Sequence, residues 1–171
     1  MARAAAAEPG GMWAFDEDCV PEHLPHEVVV AVHNPGQVVV SGPEPGPPGG
    51  RRVATSGAWH SPAMGQARAA LATAVAAVPR RALAVPLVSN HDGRAATDDA
   101  VVRAHLVAQL TSPVRWTEVL ATLSAMGVTD AVVLGPGKVL ASQLRRACPE
   151  VRVHRTDRAA DIRATVRVLS G

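Results

Sequence analysis

One histidine in this chain lies in a local sequence that could place it for acid–base chemistry. His60 follows a run with strand character, Arg52 to Ser56, and precedes Ser61-Pro62, a pair typical of a helix start. An imidazole in such a turn can act as a base, although a histidine in this position is more often satisfied by structural hydrogen bonds. Because adjacent side chains rarely face each other, we expect Ser61 to cap the helix rather than to react. The sequence contains no G-x-S-x-G segment, so it offers no nucleophile at a strand-to-helix elbow.

The other side chains with reactive or metal-binding chemistry stand in weaker patterns. His23, His26 and His33 lie in or beside a proline-broken loop with no clear fourth ligand, and we therefore expect no metal site. Cys19 and Cys148 are far apart and lack C-x-x-C spacing, which predicts idle thiols in a reducing cytoplasm. Cys19 as a replacement nucleophile is the weakest of these alternatives.

Composition excludes several classes of partner. The net charge is only +2, and the arginines are dispersed, whereas a nucleic-acid footprint needs clustered positive charge. No apolar run reaches the length of a membrane span, and Pro9-Gly10 interrupts the early alanine run before it could form a signal peptide. The sixteen-to-one excess of arginine over lysine, with abundant alanine, glycine and proline, indicates a GC-rich bacterial genome. We therefore expect a cytoplasmic chain with no nucleic-acid or membrane partner.

The first third of the chain predicts a small β-rich unit. Two β-branched runs, Val28 to Val32 and Val38 to Ser41, are joined by a segment containing Asn34-Pro35-Gly36, which is a strong turn signal. Residues 42–50 are mostly glycine and proline and cannot form a helix or a central strand. We expect Met12 to Phe15 to be a brief apolar segment and Arg52 to Ser56 to be a third strand.

The remainder alternates helix and strand, which favours a parallel sheet. We predict strands at 82–89, 131–134 and 151–154, and helices from Ser61, from Thr97 as a cap, at 116–126, at 138–147 and from Asp157 as a cap. The inward apolar positions that we expect are Met64, Leu71, Val75 and Val78 in the first helix and Ile162, Val166 and Leu169 in the last. Gly135-Pro136-Gly137-Lys138 lacks the frame of a phosphate loop and predicts a strand-to-helix turn.

Five segments along the chain resemble, in order, motifs of one enzyme family. The family is that of the malonyl-CoA:acyl-carrier-protein acyltransferases and the acyltransferase domains of polyketide synthases. The segments are H-N-P-G-Q-V-V-V-S-G at 33–42, S-G-A-W-H-S-P-A-M at 56–64, P-L-V-S-N at 86–90, Q-L-T-S-P-V-R-W at 109–116 and L-G-P-G-K-V-L at 134–140. Each motif alone is weak, but five in the family's order and near its spacing are specific.

The resemblance implies a fold and a set of site residues. The fold is α/β: a reduced ferredoxin-like β unit at 10–57, followed at 58–171 by the C-terminal part of an α/β-hydrolase-like subdomain. His60 matches the family's general base, which takes a proton from a serine, and Gln109 matches the residue whose main-chain carbonyl orients that base. Trp59 stands where malonyl-selective members usually have phenylalanine, beside the acyl pocket, and simple core packing is an equal alternative. Asn90 matches a residue near the site.

The resemblance also implies that parts of the family's active site are missing from these 171 residues. Met1 to Phe15 resembles the segment that follows the family's carboxylate-binding arginine, so the Gln-rich loop, nucleophile elbow and arginine are not among them. Val133 replaces a usual glutamate, and both helices of the ferredoxin-like insert are missing, so we expect an uncovered apolar sheet face.

Three hypotheses remain open. The chain could supply His60 to an N-terminal acyltransferase half or synthase subunit that carries the serine. It could instead be a non-catalytic module that docks on an acyl carrier protein or synthase, or it could be a truncated or decayed acyltransferase. The first implies malonyl-CoA or another acyl-CoA as substrate, a phosphopantetheine thiol on the carrier protein as acceptor, and no cofactor of the chain's own.

Overall fold

The computed structural model describes residues 9–170, which form a mixed α/β chain, as predicted. The strands are β1 (Gly11–Asp16), β2 (Val29–Asn34), β3 (Gln37–Gly42), β4 (Arg51–Arg52), β5 (Leu87–Val88), β6 (Ala95–Ala96), β7 (Val114–Arg115), β8 (Asp130–Val133) and β9 (Arg152–Arg155). The α-helices are α1 (Gly65–Ala77), α2 (Asp99–Ala108), α3 (Trp116–Ala125), α4 (Lys138–Ala147) and α5 (Ala159–Leu169). Three short 3-10 helices are Glu17–Cys19, Pro62–Met64 and Gln109–Thr111. Among the described residues, none of the helices is both long and apolar enough to span a membrane.

Contacts divide the chain into two compact units, one up to Val119 and one from Leu120 onward. The division expected between 57 and 58 stays a prediction. The alanine-rich sequence of residues 1–9 predicts a short helix or a frayed start, but residues 1–8 lie outside the described part of the chain.

The first unit is built on a five-stranded sheet with the order β4-β1-β3-β2-β7. The predicted hairpin is confirmed: β2 and β3 pair antiparallel up to Asn34 and Gln37, and Gly36 takes a positive φ of 70° in the turn. The segment expected only as a brief apolar stretch is strand β1, which pairs antiparallel with β3 from Gly11 to Asp16.

Alternate residues of β1 point to opposite faces of the sheet. Five of its six residues are buried, so both faces are covered. Trp13 and Phe15 pack with valines of β2 and β3 on one face, while Met12 and Ala14 pack on the other. The glycine-rich loop covers the first face so closely that a Cβ on Gly46 would overlap the Trp13 indole ring. The prediction that this sheet has an uncovered apolar face is therefore wrong, because the loop of residues 42–50 covers it.

Strands β4 and β5 are shorter than the sequence predicted, and strand β7 was not predicted. The run expected as a strand at 52–56 pairs only through Arg51–Arg52, and the run at 82–89 pairs only through Leu87–Val88. Strand β7 was not predicted, yet it pairs parallel with β2 through Val32↔Val114. This pairing joins the Q-L-T-S-P-V-R-W segment to the hairpin.

Two of the three predicted helix caps are wrong by one residue. The cap of α2 is Asp98 rather than Thr97, and its carboxylate accepts hydrogen bonds from two backbone amides, 2.7 and 3.0 Å away. Ser61 is the N-cap residue with Pro62 at the first helical position, as predicted, although its hydroxyl donates to the Ala58 carbonyl and makes no hydrogen bond to the helix backbone. Asp157 accepts from the Gly137 amide, and Asp161 provides the carboxylate at the start of α5.

In the second unit β8 and β9 pair parallel, as predicted, from Asp130↔Arg152 to Val133↔Arg155. Helix α4 begins and ends where the sequence predicted. The inward positions expected on α5 are wrong: Ile162, Val166 and Leu169 are all about half exposed in the described chain. Val78, expected inward at the end of α1, is likewise exposed.

Candidate active site

His60 is held in an uncommon backbone conformation. Its φ is 58°, in the left-handed region that non-glycine residues rarely occupy. Ala58 and Ser61, which flank Trp59 and His60, are buried, and the Ser61 hydroxyl donates to the Ala58 carbonyl at 2.7 Å. The imidazole is therefore presented from a fixed turn rather than from a mobile loop.

The His60 ring is oriented by one main-chain carbonyl. Its Nδ1 lies 2.8 Å from the carbonyl oxygen of Gln109, forty-nine residues away. A carbonyl oxygen can only accept, so this bond requires the proton on Nδ1. In the neutral imidazole the lone pair is then on Nε2, where a base needs it.

Packing of neighbouring residues brings His60 and Gln109 together. Met64, four residues after His60, and Leu110, one residue after Gln109, are both buried in one small cluster. Gln109 itself ends α2: its N–H donates to the His105 carbonyl, and its side-chain amide donates to the Leu106 carbonyl at 3.3 Å. The carbonyl that faces His60 is thus fixed by helix geometry and not by the Gln109 side chain.

Trp59 is half-buried and packs against two hydrophobic clusters. One is the Met64–Leu110 cluster, and the other contains Met12 and Val39 from the sheet. The structure therefore gives Trp59 a packing role, while its part beside an acyl pocket stays a prediction.

Asn90 and Gln109 line one cavity of about 280 Å³, in which they are joined by His105 and by apolar residues of β5 and α2. The Asn90 carbonyl accepts a hydrogen bond from the Arg115 amide at 2.9 Å, which ties the end of β5 to β7. Two of the predicted residues thus share a cavity, and Gln109 also bonds His60.

The sequence analysis missed a histidine pair beside this cavity. The rings of His91 and His105 lie with their centroids 4.9 Å apart. The available signal was spacing: His91 directly follows Asn90, and His105 stands one helical turn before Gln109.

The weaker candidates are not assembled into a site. Among residues 9–170, no three or more histidine, cysteine or acidic side chains are grouped as metal ligands. Cys19 is exposed on a 3-10 helix. Burial, assisted by the negative charge of Glu150, raises the pKa of the Cys148 thiol, which disfavours the reactive thiolate.

Comparisons with known proteins agree on one family. The chain is 33% identical to the malonyl CoA-acyl carrier protein transacylase of Synechocystis over 92% of its length, which is 59% of that relative. It matches the crystal structure of the Synechocystis enzyme with a TM-score of 0.84 and 31% identity, covering 94% of this chain and 60% of the other.

A second solved structure supports the fold alone, because its sequence identity is only 24%. It is a malonyl-transacylase in complex with a type II polyketide synthase acyl-carrier protein, matched with a TM-score of 0.80 over 96% of this chain and 61% of the other. No family model matches the chain. By sequence and by fold, the chain belongs to the malonyl-CoA:acyl-carrier-protein transacylase family, and it spans about three fifths of the length of the relatives it matches.

Proposed function

We propose that this chain supplies the general base of a malonyl-CoA:acyl-carrier-protein transacylase. The serine nucleophile comes from polypeptide outside these 171 residues. The observation that supports this is the 2.8 Å contact between His60 Nδ1 and the Gln109 carbonyl, made from a turn with φ of 58°. Such a contact fixes the tautomer and orientation that a serine-activating histidine needs.

The proposed chemistry is two acyl transfers through one base. Nε2 of His60 takes the proton of the serine hydroxyl while its oxygen attacks the thioester carbonyl. The carbon–sulfur bond then breaks, and the departing CoA sulfur takes that proton from His60. In the second transfer the carrier thiol gives its proton to Nε2 and its sulfur attacks the ester carbonyl. The carbon–oxygen bond to serine then breaks, and the serine oxygen takes the proton back from Nε2. No redox step or metal is needed.

The proposed substrate and acceptor are those for which the relatives are named. The Synechocystis relative is named for malonyl-CoA and acyl carrier protein, and one solved neighbour is bound to a carrier protein. We carry both to this chain as proposed substrate and partner, with a phosphopantetheine thiol as the acceptor. Trp59 and Asn90 are the proposed substrate-side residues, because Trp59 adjoins the base and Asn90 shares a cavity with Gln109.

The need for further polypeptide is supported within each unit. Helix α1 has thirteen residues and no fully buried side chain, whereas a helix of a globular domain normally buries one face. In the described part of the second unit, Leu134 and Val139 are 81% and 69% exposed beside a parallel sheet of two strands. Parallel sheets normally have both faces covered, so both units present surfaces suited to a completing polypeptide.

The test is transfer of malonyl from malonyl-CoA to a carrier protein. The chain is combined with the part of the Synechocystis relative that bears the serine elbow. We expect transfer with the pair and none with either part alone.

His60→Ala should lower the rate by about 10²- to 10⁴-fold, the usual contribution of a general base. His23→Ala, in an exposed loop, is the matched control and should leave the rate unchanged. An inactive pair, or a pair indifferent to His60→Ala, contradicts the proposal.

A second candidate is a carrier-binding module without catalysis. From Leu120 onward the sequence has eight basic and four acidic residues, against a net charge of only +2 for the whole chain. A surplus of arginine suits an acidic carrier protein. Titration of carrier protein into the His60→Ala variant separates the two functions. Binding without any transfer by the wild-type pair supports the module, and absence of binding excludes it.

A further inference from the structure

The paired histidines His91 and His105 are placed to control the contact that orients His60. Their ring centroids are 4.9 Å apart, and the planes are inclined by 51°. Within the described part of the chain, the Nδ1 atoms of both rings are buried and have no hydrogen-bond partner. Buried polar atoms are normally bonded, so two adjacent exceptions are unusual for rings with a structural role alone.

Short covalent and hydrogen-bonded paths connect the pair to the site. His105 lies on α2, and its carbonyl accepts the N–H of Gln109, whose own carbonyl lies 2.8 Å from His60 Nδ1. His91 follows Asn90 in the β5–β6 turn, where its N–H donates to the Ser89 hydroxyl at 3.1 Å. Contact between the two rings therefore holds the turn against the end of α2.

The charges around the pair are few and mostly engaged. Asp92 Oδ1 lies 3.7 Å from His105 Nδ1, too far for a hydrogen bond but close enough to attract a protonated ring, and it also accepts the Arg94 amide. Arg94, in the same turn, has an exposed side chain. Of the other charged groups on the adjoining elements, Arg103 is paired with Asp99 on α2, Glu118 with Arg115 beside the turn, and Arg68 of α1 is bonded to Thr111. One nearby carboxylate can compensate one charged imidazole but not two.

We propose that the His91–His105 pair positions the Gln109 carbonyl and thereby makes the His60 hydrogen bond dependent on pH. With at least one ring neutral, the rings pack and the carbonyl stays directed at His60 Nδ1. With both rings protonated, they repel at this separation, the β5–β6 turn moves from the end of α2, and the bond to His60 weakens. The functional consequence rests on the proposed function, but the hydrogen bond can be measured without it.

The experiment follows the His60 Nδ1–H proton by imidazole ¹⁵N–¹H spectroscopy of the whole chain as the pH is lowered. Because pH also changes the intrinsic exchange of this proton, the effect of the pair is measured as the difference between variants at the same pH. In the wild type we expect exchange with water to become about tenfold faster as both rings become charged, the factor for losing a hydrogen bond of ordinary net strength. His105→Phe and His91→Phe keep a ring but cannot carry a charge at that position, and we expect both variants to lack this acceleration.

His23→Gln is the control and should follow the wild type. His105→Ala removes the ring contact and should exchange quickly at every pH. If both phenylalanine variants follow the wild type, or if His105→Ala leaves exchange unchanged, the proposal is overturned. Should one phenylalanine variant fail to fold by its amide spectrum, the other decides. Because acyl transfer is not measured, an inactive pair in the transfer assay leaves this result standing.

Discussion

Met64 and Leu110 pack against each other in one buried cluster, and this contact sets the distance between the two segments of the candidate site. Met64 closes the 3-10 helix that follows His60, and Leu110 lies in the 3-10 helix that begins at Gln109. The hydrogen bond between His60 and the Gln109 carbonyl therefore depends on apolar packing one or a few residues away.

Leu110→Ala should consequently affect both stability and the site. Removing a buried leucine side chain is expected to lower the free energy of unfolding by about 2–5 kcal/mol. The His60 Nδ1–H should also exchange faster, because the carbonyl loses its support. Urea unfolding and imidazole spectra measure the two effects. Leu106→Ala, at a position 40% exposed on the preceding turn, is the control and should change neither strongly.

Substitutions of Gln109 should separate its side chain from its main chain. Gln109→Ala keeps the carbonyl and the N–H to His105, so we expect the His60 Nδ1–H signal and the folded state to persist. Gln109→Pro removes that N–H, and should shift or abolish the signal. The imidazole spectra of both variants check this. A signal lost in the alanine variant would contradict the main-chain assignment.

The sequence predicted those elements that rest on local chemistry. The Asn34-Pro35-Gly36 turn, helix α4 and the parallel pair β8–β9 follow from turn residues and apolar periodicity. Strand β7 and the closing of the loop over Trp13 could not be predicted, because they depend on partners distant in sequence. His60 and Gln109 were paired only through the family resemblance, since no local pattern links residues forty-nine positions apart. The His91–His105 pair was missed for the same reason.

The backbone of His60 should discriminate between replacements of similar size. A φ of 58° is tolerated by asparagine far better than by β-branched residues. Both His60→Asn and His60→Val remove the imidazole, so their difference reports the backbone. We expect the valine variant to be less stable by about 1–2 kcal/mol in urea unfolding. Equal stabilities would mean that the turn relaxes without cost.

Two glycine-to-alanine substitutions should change the free energy of unfolding in opposite directions. A Cβ on Gly46 would overlap the buried Trp13 ring, so Gly46→Ala is expected to destabilise the sheet by about 1–3 kcal/mol. Gly65 begins α1 with helical angles and open space around its Cβ position, so Gly65→Ala should stabilise by about 0.4–1 kcal/mol. Thermal and urea unfolding compare the pair. A neutral Gly46→Ala would show that the loop does not cover Trp13 in solution.

Asp130 should make the second unit sensitive to acid. The hydrogen bonds from Arg152, at 2.8 and 2.6 Å, and then that from His154, at 2.9 Å, hold the pKa of this carboxyl well below its ordinary value. A carboxyl whose pKa is lowered in the folded state contributes its full stabilisation above its unfolded pKa of about 4. It loses that stabilisation as the pH falls toward the folded pKa. We therefore expect the amide signals of Ala131 and Val153, on β8 and β9, to be lost at lower urea concentration at about pH 3 than at about pH 6.

Asp130→Asn should be less stable than the wild type at the higher pH, and its stability should be nearly insensitive to this change of pH. Glu22→Gln, in an exposed loop, should behave as the wild type. The same acid dependence in Asp130→Asn would assign the effect to another carboxyl.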